Sequence, residues 1–321
     1  MKPRNFYPDD TYLLQIRCAG AIPGLCDLHP CAGLLGFHLA WSRQRHPSVQ
    51  IHAAVQRPDG YDLVVTDRAD ALSDFQARAN RLVSQRRNAA LNRTGHAFFS
   101  SACFKAIRLR TKEDIWDALV DLSVYPTAAN IVRKPENYDG LHLTPSNLGS
   151  HHFPDPDEGN FHYDFSELPP PHAPLNLTIP PAFDLTPQQY KSAFRRRRRA
   201  RLADLHARNV DYVGNKAIQQ LSAHKAPIPT FPADSPSSHP GSPWKNHLEH
   251  SANAAAQAKA NDERRQFLKD YAECRAEVSA EGWPAFDYLE WPPGTYGPRR
   301  FLKATVRGSP APGVPAPRSA I

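Results

Sequence analysis

Two small sets of side chains in this chain have the types and spacing to hold a metal ion. Asp62 and His52 fall on neighbouring predicted strands, and a carboxylate with an imidazole suits Mg²⁺ or Mn²⁺. Cys26, His29 and Cys31 lie close together and could supply three zinc ligands. The alternatives are a solvated carboxylate beside a turn, a hydrogen-bonded sheet histidine, and buried thiols next to a helix start.

The segment 52–67, HAAVQRPDGYDLVVTD, is the element that would position Asp62. Its two alternating runs are joined across Asp59-Gly60, a pair that favours a tight primed turn, and this pattern predicts a β-hairpin. Alternate residues of a strand share a face, so Gly60 and Asp62 are predicted to point to one side and Tyr61 to the other.

The hydrophobic periodicity around the hairpin predicts the order strand, helix, strand, strand, helix, strand, helix. The runs are 11–18, a helix begun near Pro30, 48–56, 60–66, 72–90, 102–110 and a helix capped by Thr111 and Asp114. This order predicts an α+β fold with a ferredoxin-like antiparallel sheet, covered by helices on one face.

Proline use divides the rest of the chain. Most of the 32 prolines follow Pro126, and the dense stretches 154–187 and 226–243 are predicted to be connectors rather than sheet. One helix is predicted over 186–209, between these two stretches, and another from about 245 to 281, after the second stretch. We therefore predict a domain over 1–145, a proline-rich linker over 146–185, a mainly helical C-terminal extension over 186–303 and a disordered tail over 304–321.

Positive charge is concentrated locally in this chain. The formal net charge is +7, and nine basic residues with no acid lie between Arg78 and Lys112. Five consecutive arginines, Arg195 to Arg199, lie in the predicted helix 186–209. Such clusters suit a partner that carries phosphates, and a solvated helix face is the alternative for the arginine run.

The five cysteines are widely spread and do not form a disulfide framework. No apolar run approaches the roughly 18 residues that span a bilayer, and the N-terminus MKPRNFYPDD lacks a secretory apolar region. We expect a cytoplasmic location and no membrane partner.

Four segments carry a resemblance to a known family. They are IHAAVQRPDGYDLVVTD, LSDFQARANRLVSQRRNAALNRTGHAFF, FKAI and VYPTAANIVRKPENYDGLH. In order and spacing they resemble the REP-associated tyrosine transposases, which are HUH single-strand DNA transposases of mobile elements. The matching residues are His52, Leu63, Val64, Val65, Asn88, Arg93, Thr94, Gly95, Phe98, Lys105, Pro126, Ala129, Val132, Pro135 and Glu136.

The resemblance covers residues 3–145 and continues loosely through YVGNKAIQQ (212–220) to WPPGTYGPRRF (291–301). In the family, two strand histidines hold Mg²⁺ or Mn²⁺ and a helix tyrosine attacks the phosphate. Here Gly60 and Asp62 stand at the histidine positions and Val83 at the tyrosine position. The resemblance thus implies a degenerate site with no catalytic residue and no cofactor.

The same resemblance implies a DNA-binding protein that has lost strand cleavage and transfer, with single-stranded or hairpin DNA as its partner and a homodimer as its suggested state. Six cations are expected to contact phosphates, and Phe98 or Phe99 would either stack on an unpaired base or pack in the core. The six are Arg81, Arg86, Arg87, Arg93, Lys105 and Arg108.

Two other functions stay open from the sequence. An active transposase or nuclease could use a relocated nucleophile, Tyr61 or Tyr125, with Asp62 on the metal. A structural or protein-interaction module that does not bind DNA is the other possibility.

Overall fold

The computed structural model describes residues 6–19, 23–91, 97–99, 105–156, 168–208, 211–223, 249–250 and 254–281. The chain divides into two compact units. One comprises residues 8–257 and holds the sheet; the other comprises residues 1–7 and 258–321.

The first half of the chain has the predicted order of elements. These are β1 (Thr11–Arg17), α1 (Leu28–Arg45), β2 (Val49–Arg57), β3 (Gly60–Asp67), α2 (Leu72–Ala90), β4 (Lys105–Leu109) and α3 (Lys112–Ala128). The capping box predicted for α3 is present, because Thr111 Oγ1 accepts from the Asp114 amide and the Asp114 carboxylate accepts from the Thr111 amide.

The second half adds four short strands and three helices in the described residues. They are β5 (His142–Leu143), β6 (Gly149–Pro154), β7 (His172–Leu177), α4 (Pro187–Arg208), α5 (Asn215–Ala223), β8 (Glu249–His250) and α6 (Ala254–Glu281). Helix α4 begins as predicted, with reciprocal hydrogen bonds between Thr186 and Gln189 and with Pro187 as its first residue.

The described strands form one mixed sheet of eight, so the α+β class is confirmed. Its order is β6-β7-β2-β3-β1-β4-β8, and β5 pairs with β2 off this path. The pairs β2–β3, β3–β1 and β1–β4 are antiparallel. Strands β7 and β8 join in parallel, to β2 and β4, so the whole sheet is not antiparallel as predicted.

Residues 146–185 differ from the expected linker, because β6 and β7 lie within them and extend the sheet. Proline has no amide hydrogen to donate, which is why dense proline favoured a connector. The structure places Pro154 at the end of the edge strand β6. Pro174 lies in the part of β7 that pairs only with β6, since β7 meets β2 at Leu177 alone. Proline is tolerated at such edge positions.

Helices cover both faces of the sheet, which corrects the expectation of one covered face. The hydroxyl of Tyr61 donates to Asn80 of α2 at 2.6 Å, so α2 lies on the face that carries Tyr61. Helix α3 packs on the opposite face, in one hydrophobic cluster with Leu13 and Val64. Alternation along β1 and β3 decides which residues face each helical layer.

We call α1 and α2 together the α1–α2 layer, and α3 and α4 together the α3–α4 layer. Within the first, Arg78 of α2 stacks over the Trp41 ring of α1, 5.1 Å from its centroid. Within the second, Trp116 of α3 stacks on Phe183 at 4.4 Å and on Tyr190 of α4 at 5.2 Å between ring centroids. Helix α4 is therefore docked by buried aromatic rings as well as by charge.

Several sequence predictions lie outside the described residues. They are the segment 291–301, the connector 226–243 and the tail 304–321. The long helix predicted from about 245 to 281 is described from Ala254 to Glu281, and Phe267 is buried in it. Among the described helices, none combines the length and the apolar character that crossing a bilayer requires.

Candidate functional site

The β2–β3 hairpin turns one residue earlier than its sequence suggests. Arg57 pairs with Gly60, so the two loop residues are Pro58 and Asp59 rather than Asp59 and Gly60. None of residues 58 to 60 has a positive φ. A primed turn is excluded, because it requires positive φ and proline holds φ near −65°.

Gly60 has a different physical role from the predicted one. It lies opposite Arg17 in β1, and a Cβ built on it would come 1.9 Å from the carbonyl oxygen of Ile16. No side chain fits this contact without moving the backbone. The position that the resemblance equates with a metal-binding histidine is therefore closed to histidine by the neighbouring strand.

Asp62 is held by two arginines on the α3 side of the sheet. Arg17 Nη1 donates to Asp62 Oδ1 at 2.5 Å, and Arg57 Nη1 donates to Asp62 Oδ2 at 3.4 Å. The Asp62 side chain is only 5 % exposed. Both carboxylate oxygens are thus occupied by guanidinium groups, and the solvated carboxylate expected from the sequence is instead buried.

Asp59 closes the same cluster from the turn. Its carboxylate lies 3.4 Å from Arg57 Nε and 3.7 Å from Arg17 Nε. Burial raises the pKa of Asp59, but the charges of Arg57 and Arg17 outweigh it and bring the pKa below its usual range. Two arginines and two carboxylates make this cluster formally neutral. We call Arg17, Arg57, Asp59 and Asp62 the hairpin ion cluster.

The two candidate tyrosines lie on opposite faces. Tyr61 is bound to α2 through Asn80 and Gln76, away from Asp62. Tyr125 of α3 lies under the hairpin ion cluster, with the Arg57 guanidinium 4.5 Å from its ring centroid. Burial raises the pKa of Tyr125 to about 12, so its phenol is neutral, and this opposes a nucleophilic role.

The structure does not bring His52 and Asp62 together. His52 Nδ1 donates to the Thr178 carbonyl at 2.9 Å, and its Nε2 accepts from Thr66 Oγ1 at 2.9 Å. Thr66 lies four residues along β3 from Asp62, which is about 13 Å of strand. Burial lowers the pKa of His52 to about 4, and both ring nitrogens of the neutral imidazole are used within the sheet.

Val83 is separated from the other two degenerate positions by the sheet. It is buried on α2, on the Tyr61 side, whereas Gly60 and Asp62 face α3. The three positions that the resemblance equates with two metal ligands and a nucleophile therefore do not face a common space in this structure.

The cysteine and histidine set near α1 does not form a ligand group. Cys26 and Cys31 are buried, and Cys26 Sγ donates to the Pro23 carbonyl at 2.5 Å. His29 is exposed. In the described part of the chain, no cluster of three or more histidine, cysteine or acidic side chains could hold a metal ion.

Two of the six side chains that were expected to contact phosphates are buried. Arg87 is buried, donates from Nε to the Gly24 carbonyl at 2.9 Å and pairs with Asp27 at 3.1 Å. Arg108 is buried and pairs with Asp10. Both arginines join segments of the fold, and their burial corrects the expectation that they contact DNA.

The remaining candidates are placed differently. Arg81 is exposed on α2, and Arg86 and Lys105 are half-buried. Arg93 lies outside the described residues. Phe98 is buried against Gly24, and Phe99 meets the Tyr61 ring edge to face with centroids 5.6 Å apart. Phe98 therefore packs in the core.

Charge on the α1–α2 layer is strongly unbalanced. Its two helices carry six arginines and one carboxylate, Asp74, with no lysine or glutamate. The arginines are Arg43, Arg45, Arg78, Arg81, Arg86 and Arg87. Only Arg87 is buried, so five positive side chains remain at least partly exposed around this layer.

Part of the charge on the α3–α4 layer is paired between its two helices. Three carboxylates lie four residues apart along α3, at Glu113, Asp117 and Asp121. Arg197 pairs with Glu113 at 3.3 Å, and Arg201 pairs with Asp121 at 3.4 Å. The acidic stripe of α3 therefore receives part of the arginine run of α4, a role that sequence reasoning left open.

Sequence reasoning did not single out Arg17 or Arg57, and it considered Tyr125 only as a nucleophile and not as a neighbour of Asp62. Strand alternation carried a signal for Arg57, which directly precedes the turn and pairs with Gly60. No local signal places Arg17 or Tyr125 beside Asp62, because they reach it from β1 and α3 through tertiary contacts alone.

Comparison with known proteins adds no identification. No protein-family model, no curated protein and no solved structure matches this chain significantly.

Proposed function

We propose that this protein binds DNA through its α1–α2 layer and does not cleave it. The observation that carries the proposal is the charge of that layer, with six arginines against one carboxylate. Phosphate backbones release condensed counterions when arginines neutralise them, which favours binding to such a surface.

The proposed domain type is a ferredoxin-like domain of transposase descent. Its support is the antiparallel order β2-β3-β1-β4 within the element order βαββαβ, which is the split βαβ arrangement. The sequence resemblance over residues 3–145 leads to the same domain. Single-stranded or hairpin DNA is the proposed ligand, and a homodimer is the proposed assembly.

The proposed loss of cleavage rests on the hairpin. Backbone approach closes position 60 to any side chain, and two arginines neutralise Asp62. A divalent cation would have to displace both guanidinium groups before it could bind Asp62. Restoring histidine at position 60 would therefore disturb β1 rather than rebuild a metal site.

Fluorescence anisotropy over a salt series tests DNA binding. The ligands are a labelled single-stranded hairpin, its unstructured scramble and its duplex. We expect the hairpin to bind most tightly, with an affinity that falls as salt rises. In the double variant Arg81→Gln and Arg86→Gln, the slope of log Kd against log salt should fall by about 1.4 on single strands.

The matched control is the double variant Arg81→Lys and Arg86→Lys, which keeps both charges and should keep the wild-type slope. No binding at low salt would refute the proposal and favour a protein-interaction module. Binding that is unchanged in the glutamine variant would place the interface elsewhere. Cleaved or covalently attached DNA after incubation with Mg²⁺ or Mn²⁺ would refute the proposed loss of cleavage.

A further inference from the structure

Helix α4 sorts its arginines between two faces. Its inner face buries Tyr190 and Phe194 and carries the arginines that pair with α3. Its outer face exposes Arg195, Arg196 and Arg199. For these three side chains, the described residues provide neither a hydrogen bond nor an ion pair.

The outer arginines do not contribute to the fold through any contact in the described chain. Arg195 and Arg199 are four residues apart, so they lie on successive turns of the same face. Like charges at this spacing repel and destabilise a helix. The sole acid of α4, Asp204, is occupied by Arg201 and Arg208 and does not relieve this repulsion. An anionic partner would relieve it.

Phosphate groups match this surface in chemistry and geometry. Each guanidinium offers a planar fork of donors that binds a phosphate through two hydrogen bonds. The Cβ atoms of Arg195 and Arg199 lie about 5–6 Å apart. Arg196 widens the positive surface around the helix. A polyanion that presents several adjacent phosphates can therefore contact all three side chains together.

The position of α4 makes this surface independent of the α1–α2 layer. Helix α4 packs with α3 on one side of the sheet, whereas α1 and α2 cover the other side. A straight duplex bound along one layer does not reach the other. Two segments of nucleic acid can thus occupy the two surfaces without competing for the same arginines.

We propose that the outer face of α4 is a second phosphate-binding surface, so that each chain holds two segments of nucleic acid, one on each side of its sheet. This inference rests on the proposed DNA binding by the α1–α2 layer. It gives the arginine run two roles, since Arg197 docks the helix on α3 while Arg195, Arg196 and Arg199 bind phosphates.

Binding stoichiometry of the full chain tests the inference. A labelled single-stranded hairpin is titrated at low salt into protein well above Kd, and the equivalents bound per chain are counted. Wild type should bind two. The triple variant Arg195→Gln, Arg196→Gln, Arg199→Gln should bind one, because removing all three guanidinium groups abolishes the α4 equivalent.

Two comparison variants separate this inference from the proposed function. The matched triple variant with lysine at the same three positions should still bind two equivalents. The double variant Arg81→Gln and Arg86→Gln should keep the α4 equivalent unchanged and bind the other equivalent more weakly. A double variant that behaves as wild type would refute the α1–α2 interface while leaving the α4 result readable. Circular dichroism checks that each variant remains folded.

Three outcomes would overturn the inference. One is a wild-type stoichiometry of a single hairpin per chain, whether the protein is a monomer or a dimer. Another is a glutamine triple variant that still binds two equivalents. The third is a glutamine triple variant that keeps the DNA stoichiometry of wild type but no longer binds vesicles of anionic lipid. That result would assign the outer face of α4 to a membrane surface instead.

Discussion

The α1–α2 and α3–α4 layers cover opposite faces of one sheet and use arginine in opposite ways. In the α3–α4 layer, Arg197 and Arg201 meet the acidic stripe of α3 and dock one helix on another. In the α1–α2 layer, five of six arginines are at least partly exposed, and its helices carry a single acid. Both layers nevertheless carry a net positive charge, since the α1–α2 helices have six arginines against one acid and the α3–α4 helices have nine lysines and arginines against five acids.

This difference shows that residue type alone does not determine the role of an arginine. Arg87 and Arg86 are neighbours on α2, yet the first is buried between Gly24 and Asp27 and the second is half-exposed. The helical period turns adjacent residues about 100° apart, so a run of arginines divides between interior and surface. We therefore expect charged groups on the α3 side to contribute to the stability of the fold, and those of the α1–α2 layer to contribute to the proposed DNA binding.

Removing a carboxylate on the α3 side should have the largest effect. Asp62→Asn leaves the half-buried Arg17 and the buried Arg57 with only the more distant carboxylate of Asp59. We expect the free energy of unfolding to fall by about 3–5 kcal/mol, as when one member of a buried pair is lost. Urea denaturation measures this change. A loss below about 1 kcal/mol would show that Asp59 alone satisfies both arginines.

Acidic pH should lower the stability of the protein, because histidines are buried on both faces of the sheet. Burial lowers the pKa of His38 in α1 and of His52 in β2 to about 4, against about 6.5 when unfolded. Below pH 6.5 the unfolded chain binds protons that the folded chain excludes, so stability falls from pH 6.5 to about 4. Each histidine contributes about 3 kcal/mol to this fall.

Urea denaturation at pH 7.0 and at pH 5.0 measures the effect of acid. His38→Gln should remove about a third of the pH dependence and His52→Gln a similar share, because burial also lowers the pKa of His142 to about 4. Equal stability of wild type at the two pH values would show that these imidazoles are protonated at little cost in the folded protein.

Glycine substitutions should distinguish the hairpin from the helical layer. In Gly60→Ala the new Cβ meets the Ile16 carbonyl, and overpacking of this kind destabilises a protein by about 1–3 kcal/mol. Gly33→Ala in α1 is the matched control, because no atom lies within 4 Å of its Cβ position. It should stabilise α1 by about 0.5–1 kcal/mol. Thermal unfolding of both variants compares them, and a neutral Gly60→Ala would refute the close approach of β1.

The surface pair between α3 and α4 should have the smallest effect. Arg197→Gln removes the Glu113 pair, whose side chains are 38 % and 65 % exposed, and a contact with the Trp116 ring. Solvent screens such pairs, so we expect a loss below about 1 kcal/mol. Added salt should reduce the difference between wild type and variant. A larger, salt-independent loss would mean that docking of α4 depends on this arginine rather than on its buried rings.

Local patterns predicted much of the first half of the fold. The cap at Thr111 and Asp114 could be predicted because these two residues lie three apart in sequence. The strands of the hairpin and the helix at 72–90 follow from periods of 2 and 3.6. Proline density predicted a connector over 146–185, because it does not reveal that Pro154 ends an edge strand and that Pro174 lies where β7 pairs only with β6.

The candidate site could be predicted from the sequence less well than the fold. Positions 60, 62 and 83 were identified by resemblance, but their placement on two sides of a sheet depends on packing. Arg87 and Arg108 were predicted to be surface cations, because their partners Asp27 and Asp10 are about 60 or more residues away in the chain. Long-range ion pairs leave no local pattern in the sequence.

The sequence by itself determined the α+β order of elements, the positions of the caps and the excess of positive charge, because these depend on neighbouring residues. Only the tertiary structure decided which arginines are buried, why position 60 is glycine and how Asp62 is neutralised. Each of these depends on β1, β2 and α3 meeting at the hairpin, where backbone contact and charge pairing act between residues distant in the chain.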